Sequence, residues 1–211
     1  RNTETDDEFR ARYYVSTDFA GGVNLDAIIA AIYENVEAVI AVTGEENDTD
    51  ETNASGLPPH SIELVVYGGL DEEIAKAIHR RKGAGIQTYG NVTVPVVDAA
   101  GNIKNISFSR PAPVNVWVKV FNLQTDNTFP LDGIEQIKQR LTEYIGSDTR
   151  GGLNIGQNVI CVALPTEVFR VQGVVDFDLQ ISPDGETYSW KNITIAAREK
   201  AVTNEDMVVV E

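Results

Sequence analysis

Cysteine and methionine each occur once in the 211 residues, and histidine and tryptophan twice each. One cysteine excludes an intramolecular disulfide. Cys161 lies in the apolar stretch Val159-Ile160-Cys161-Val162, where a thiol reads as a space-filling core residue rather than a nucleophile. His60 follows Pro58-Pro59 and His79 precedes Arg80-Arg81-Lys82, too few and too scattered for a histidine-based catalytic or metal centre. Basic charge is also scarce, with 17 Lys and Arg against 32 Asp and Glu, a net charge of −15 and a pI near 4.5. That surface repels phosphate backbones and anionic lipid, which excludes nucleic-acid or membrane binding through basic charge. No apolar run approaches the ~18 residues of a bilayer span, and no secretory signal opens the sequence. Arg at position 1 in place of Met reads as a fragment or processed chain. HExxH, CxxC, Walker A, GxGxxG and GxSxG motifs are all missing.

What is present is ordinary core-forming composition. Hydrophobic residues make 42% and charged residues 23%, within the range of globular domains. Residues 1–110 carry 9 basic and 18 acidic side chains and residues 111–211 carry 8 and 14, so neither half is a basic module. The excess is diffuse except over 45–51, where five acids occur without a base.

Periodicity supplies the elements. A short helix is expected from Asp7 to Val15, with Phe9, Tyr13 and Ala20 facing a core. Asn24 is placed to cap a helix whose Leu25, Ile28, Ile29 and Ile32 form one stripe. The period then changes to two, with Val36, Ala38, Ile40 and Val42 on one strand face. Residues 44–59 have no period and read as a mobile, solvated loop. Their Asp48-Thr49-Asp50-Glu51 lacks the glycine and closing Glu of a calcium loop. Ile62, Leu64 and Val66 define a strand ended by Gly68-Gly69, and Asp71 is expected to cap a helix through Ile74, Ala75 and Ile78. Gly83 is expected at its left-handed C′ position. The run from His79 to Lys82 reads as a complement to that helix's dipole rather than a phosphate site. Residues 91–97 and 103–109 read as a hairpin across Asp98–Asn102, with Pro95 confining its strand to an edge or a bulge.

Arg110-Pro111-Ala112-Pro113 is a stiff connector and the expected domain boundary. Beyond it, Val114, Val116, Val118 and Val120 share a strand face. Asp132 and Glu135 read as a capping box for a helix through Ile134, Ile137, Leu141, Tyr144 and Ile145, closed by Gly146. Residues 147–155 form a Gly-rich loop. Residues 157–170 read as a helix kinked or split at Pro165. A strand with Val175, Phe177, Leu179 and Ile181 on one face leads into the turn Ser182-Pro183-Asp184-Gly185. Ile193 and Ile195 mark a returning strand, and Met207 to Val210 a last one. The expected fold class is α+β, as two small domains, 1–110 and 111–211. Each has a mixed or antiparallel sheet packed with about two helices.

Chemistry is hard to find in this arrangement. Arg150-Gly151-Gly152-Leu153-Asn154-Ile155-Gly156 could cradle an anion but lacks the Lys-Ser/Thr of a nucleotide loop. Carboxylates are many, yet none is marked as half of a glycosidase pair. Trp117 and Trp190 read as core or interface residues that could also stack on sugar.

The order of motifs resembles the baseplate J family of contractile-tailed phages. The residues that carry the likeness are His60-Ser61-Ile62-Glu63-Leu64-Val65-Val66, Gly68-Gly69, Glu73-Ile74-Ala75-Lys76-Ala77-Ile78 and Lys82-Gly83-Ala84-Gly85-Ile86-Gln87-Thr88-Tyr89-Gly90. The hairpin ending Ile106-Ser107-Phe108-Ser109-Arg110-Pro111 continues it, with Thr5-Asp6-Asp7-Glu8-Phe9-Arg10 before it and Val171-Gln172-Gly173-Val174 after. The resemblance implies a structural wedge component of a tail baseplate, similar in role to the large wedge protein of T-even phages. It implies 1–110 and 111–211 as the central and C-terminal domains of such a protein, and a virion location after assembly in the bacterial host cytoplasm. It assigns no catalytic, cofactor-binding or metal-ligating residue and no cofactor. Its implied partners are other baseplate and tail proteins and copies of itself in a ring, with no nucleic acid and no membrane. Family members carry a further N-terminal domain that this sequence does not show, so the chain alone is expected to be a monomer or weak dimer. The edge strand with Pro95 and the strand with Trp117 and Phe121 are the expected docking surfaces. Two other classes remain beside this one: a carbohydrate-binding or adhesin module using Trp117 or Trp190, and a carboxylate-based hydrolase.

Overall fold

The computed structural model describes residues 24–211, and the chain divides between Arg110 and Pro111 into two units. The helix expected over 7–15 and the motif over 5–10 lie outside the described residues. Among those described are four α-helices and ten strands in several small sheets, an α+β fold.

In the first unit, the Asn24 side chain accepts from the Ala27 N–H at 3.0 Å and starts α1, Leu25–Asn35. Ile28 and Ile32 of its stripe are buried. The strand expected to follow from Val36 starts later. Val36 ends the helix in an extended conformation and Ala38 sits at φ 57°, a left-handed residue that breaks the two-residue period. Strand β1 is Val39–Asn47, with a register shift between Val39 and Ala41. It runs through residues 44–47, which pair with 61–64 of β2, so the expected loop is shorter than its composition suggests. Gly44 permits this pairing because a Cβ there would meet Leu25 Cδ1 at 2.9 Å.

The acidic run is organised by Asn47, which is itself buried. Its amide nitrogen reaches the carbonyls of Glu51, Leu57 and Pro58 at 2.8, 2.8 and 3.0 Å, and its oxygen accepts from the Thr49 N–H and hydroxyl. Leu57 is thereby fully buried within what reads as a solvated stretch.

Strand β2, Ser61–Gly68, is central, antiparallel to β1 and parallel to β3, Gln87–Tyr89. Residues 61–66 are all buried, as expected for a strand covered on both faces. Helix α2, Asp71–Arg81, packs Ile74, Ala75, Ala77 and Ile78 into this core. Asp71 does not cap it. The cap position belongs to Leu70, which makes no side-chain bond there, and Asp71 in the first turn is held by Arg110 at 2.5 Å. Nor is Gly83 left-handed: the chain leaves through an extended Lys82, and Gly85 takes the positive φ of 86°. His79, Arg80 and Arg81 occupy the last turn, beside the unpaired carbonyls. The hairpin of β4, Val92–Val97, and β5, Ile103–Phe108, closes on Asp98, which accepts from the N–H groups of Ala100 and Asn102. Val96, Ile106 and Phe108 complete the core.

In the second unit, β6, Ala112–Asn115, pairs in parallel with β9, Glu199–Val202. Strand β7, Trp117–Thr125, is the centre of a three-stranded sheet, antiparallel to β8, Val174–Ser182, and parallel to β10, Val208–Val210. The single strand expected from Val114 to Val120 is thus two strands with different partners, although Val116, Val118 and Val120 do share the buried face. Helix α3, Gly133–Ile145, packs Ile137, Leu141 and Ile145 on that face and ends at Gly146, φ 105°.

Several expectations here are corrected. Asp132 makes no capping bond, because its φ −99° and ψ 18° leave the extended region a cap requires. It accepts instead from the Gln136 side chain at 3.1 Å. Residues 157–170 are not one helix. A 3₁₀ turn, Cys161–Ala163, precedes the short α4, Leu164–Phe169, and Pro165 stands in its first turn, where no N–H is needed. Ile193 makes only an isolated bridge to Val159. The strand that does form nearby, β9, contains the fully buried Lys200.

Candidate docking surface

The second unit's sheet leaves one long edge without a neighbour. Strand β8 pairs with β7 and with no other strand among those described. Its backbone phase follows from one contact: Ile181 exchanges both backbone hydrogen bonds with Ser189, at 3.0 and 2.9 Å. These point away from β7, and antiparallel strands alternate the side to which successive residues bond. Phe177 and Leu179 therefore turn their N–H and C=O groups to the same outer side. The Phe177 N–H is met locally by Asp176 Oδ1 at 3.0 Å.

Along this edge runs an open groove of about 370 Å³, lined by residues 176–180 and by Phe121, Pro165, Phe169 and Trp190. Side chains of consecutive strand residues point to opposite faces, so a groove that meets all of 176–180 follows the edge rather than one face. Phe169 is 53% and Trp190 49% exposed, unusually open for rings of that size. The Phe169 and Phe177 rings lie 4.8 Å apart, inclined at 51°. Asp176 and Asp178 share the other face of β8, and Asp178 accepts from the Asn122 side chain at 2.8 Å. Phe121 stands directly opposite Asp178 in the register.

The expected residues fall around this picture unevenly. Trp190 lies in the groove and Trp117 does not: it is half-buried, and a Cβ on Gly185 would stand 3.0 Å from its ring. Trp117 and Phe121 belong to the central strand, so only their face is open. Pro95 is exposed on β4, opposite Asn105, and β4 pairs with β5 alone among the described strands. Phe169 is not marked by the sequence because α4 is too short to show a period, and Phe177 reads there only as a member of its strand's apolar face.

The remaining candidates are structural. Lys200 donates to the Gly151 and Leu153 carbonyls at 2.8 and 2.9 Å. The Gly-rich stretch thus turns carbonyls inward, the reverse of an anion cradle, which presents N–H groups. Burial pushes the Lys200 ammonium down to about 8 and the Cys161 thiol up to about 11. His60 pairs with Asp50 at 2.9 Å on an exposed surface. Among the described residues no group of three His, Cys, Asp or Glu side chains gathers as a metal ion would require, and no helix is long and apolar enough to cross a membrane. Asp176 and Asp178 are exposed, unlike the apolar surroundings that make a carboxyl a general acid.

No family model and no curated protein matches the sequence. A solved structure does: a chain of the cryo-EM structure of the anti-feeding prophage (AFP) baseplate, 6-fold symmetrised, is similar at a TM-score of 0.51 and 12% sequence identity. The similarity covers 86% of this chain and 37% of that one, so this chain spans little more than a third of its neighbour's length. At such identity what is shared is the fold, and this chain has the fold of part of an anti-feeding prophage baseplate chain.

Proposed function

We propose that the protein is a structural component of the tail baseplate wedge of a phage or phage-tail-like particle, acting by docking to other proteins and without catalysis. The observation that carries this reading is the backbone likeness to a baseplate chain over 86% of the sequence. The order of motifs over residues 60–111 is in keeping with it. Both units offer sheet edges without a neighbour among the described strands, which suits a protein whose work is contact. Its partners are then other baseplate and tail proteins, together with copies of itself around the tail axis.

Electron microscopy of native particles carrying a tag on this chain tests the proposal. The tag is expected in a ring at the tail end, and deletion of the gene should leave tails without baseplates. A protein found only free in the cell, turning over a metabolite, would overturn it. The exposure of Trp190 favours a second reading, an adhesin module that stacks on sugar. Saturable binding on a glycan array, lost in Trp190→Ala, would support that one.

A further inference from the structure

We infer that the outer edge of β8 accepts an extended segment of a neighbouring protein as an added strand, and that this segment alternates cationic with apolar side chains. The inference deepens the baseplate reading by naming a docking edge and a partner chemistry, and rests on that reading for where the segment comes from.

Three features of the edge converge. The Ser189 segment already makes a short antiparallel bridge at Ile181, so the edge is geometrically able to accept a strand. Leu179, two residues on, has the matching hydrogen-bonding phase and no strand beside it among those described. Beyond it the Phe177 N–H is met by its own neighbour Asp176, where the β7–β8 register shifts, so an added strand has Leu179 as its first open main-chain partner. Strand addition of this kind takes affinity from main-chain bonds and selectivity from alternate side chains. Here the alternation is strong. Asp176 and Asp178 present exposed carboxylates on one face, complementary to lysine or arginine. The Phe121 ring beside Asp178 already has the chain's own Lys119 ammonium 6.0 Å from its centroid, so the seat for the partner's cation is the carboxylates alone. Phe177 and Leu179 lie on the other face, and Phe177 with Phe169 offers an apolar seat.

Charge decides between occupants. Self-pairing of β8 in a second copy would bring Asp176 and Asp178 toward the same carboxylates, and a net −15 toward a net −15. A basic segment meets the edge with complementary charge and so associates faster and more selectively.

The test uses the full chain and short synthetic peptides alternating valine with lysine, or valine with glutamate, at equal length. The lysine peptide is expected to bind saturably, to slow hydrogen exchange at the Leu179 amide, and to be at least about tenfold tighter than the glutamate peptide. Asp176→Lys with Asp178→Lys, both at exposed positions, should reverse that preference while leaving the fold intact by circular dichroism. Equal binding of the two peptides, no binding of the lysine peptide, or binding without protection of Leu179 would overturn the inference. So would an oligosaccharide that quenches Trp190 while neither peptide binds. The experiment reads the edge alone, so its failure leaves the baseplate reading to stand or fall by particle microscopy.

Discussion

Arg110 gathers several acceptors at the end of the first unit. Its guanidinium donates to the carbonyls of Val66, Gly68 and Gly69 at 3.0, 2.5 and 2.8 Å and to Asp71, and it lies 5.3 Å over the Phe108 ring. Two of these carbonyls belong to Gly68, the last residue of β2, and to Gly69 just beyond it, at φ 81° and 72°, and the third to Val66 within the strand. Only a planar fork reaches all of them. Arg110→Lys should therefore leave acceptors unmet and lower the unit's stability by about 1–3 kcal/mol, read from the urea midpoint. Cys161, held at about 11 by burial, should resist thiol reagents at neutral pH and react only after unfolding. Asp184 is pulled down to about 2 by the Ser182 hydroxyl first and by the Thr187 and Glu186 N–H groups after it. An unfolded Asp titrates near about 3.9. The turn's contribution is therefore complete above that pH and disappears as pH falls through about 2. An NMR titration of Asp184 should show that midpoint, and Ser182→Ala should raise it.

The helices show which elements can be read from a sequence. α1 and α3 were legible because their apolar stripes repeat over more than two turns and their ends carry Asn24 and Gly146. In α3, Leu141→Ala should cost about 2–5 kcal/mol, since the side chain is fully buried. Ile134→Ala, at a 39% exposed position, should cost well under that, and thermal melts of the two variants check the contrast. The misread elements share a physical cause: their conformation is set by distant partners. Residues 44–47 become strand because Leu64 and its neighbours need a pairing surface. Lys200 enters a strand because the carbonyls of Gly151 and Leu153 receive its ammonium. The groove was illegible for the same reason. Trp190 was visible as a residue, but its place in one groove with Phe169 and the β8 edge depends on the chain through Ser189 that bridges back to Ile181.

At the scale of the whole molecule, each unit has its own apolar cluster, built around Ile32, Val66 and Ile78 in one and Val118, Leu141 and Ile181 in the other. Residues 111–211 expressed alone should fold, giving a cooperative melt and dispersed amide resonances. A chain of that segment that stays unfolded would show that its core needs the first unit. The first unit carries 9 − 18 = −9 and the second 8 − 14 = −6. Both should gain stability as added salt screens this self-repulsion, the first more than the second.

Ser109 and Arg110 fasten the end of the first unit to its central strand. The Ser109 N–H donates to the Leu64 carbonyl at 2.7 Å and its carbonyl accepts from the Val66 N–H at 2.9 Å. Its hydroxyl donates to Glu63 at 2.5 Å. Arg110 then clasps the carbonyls just beyond, and the backbone passes into Pro111. Detaching the chain at this point requires breaking these bonds of Ser109 and Arg110. The anchor is the central strand of the first unit. Fraying of the first unit from its C-terminal side should therefore stop at residues 109–110, read as slow hydrogen exchange at the Ser109 amide.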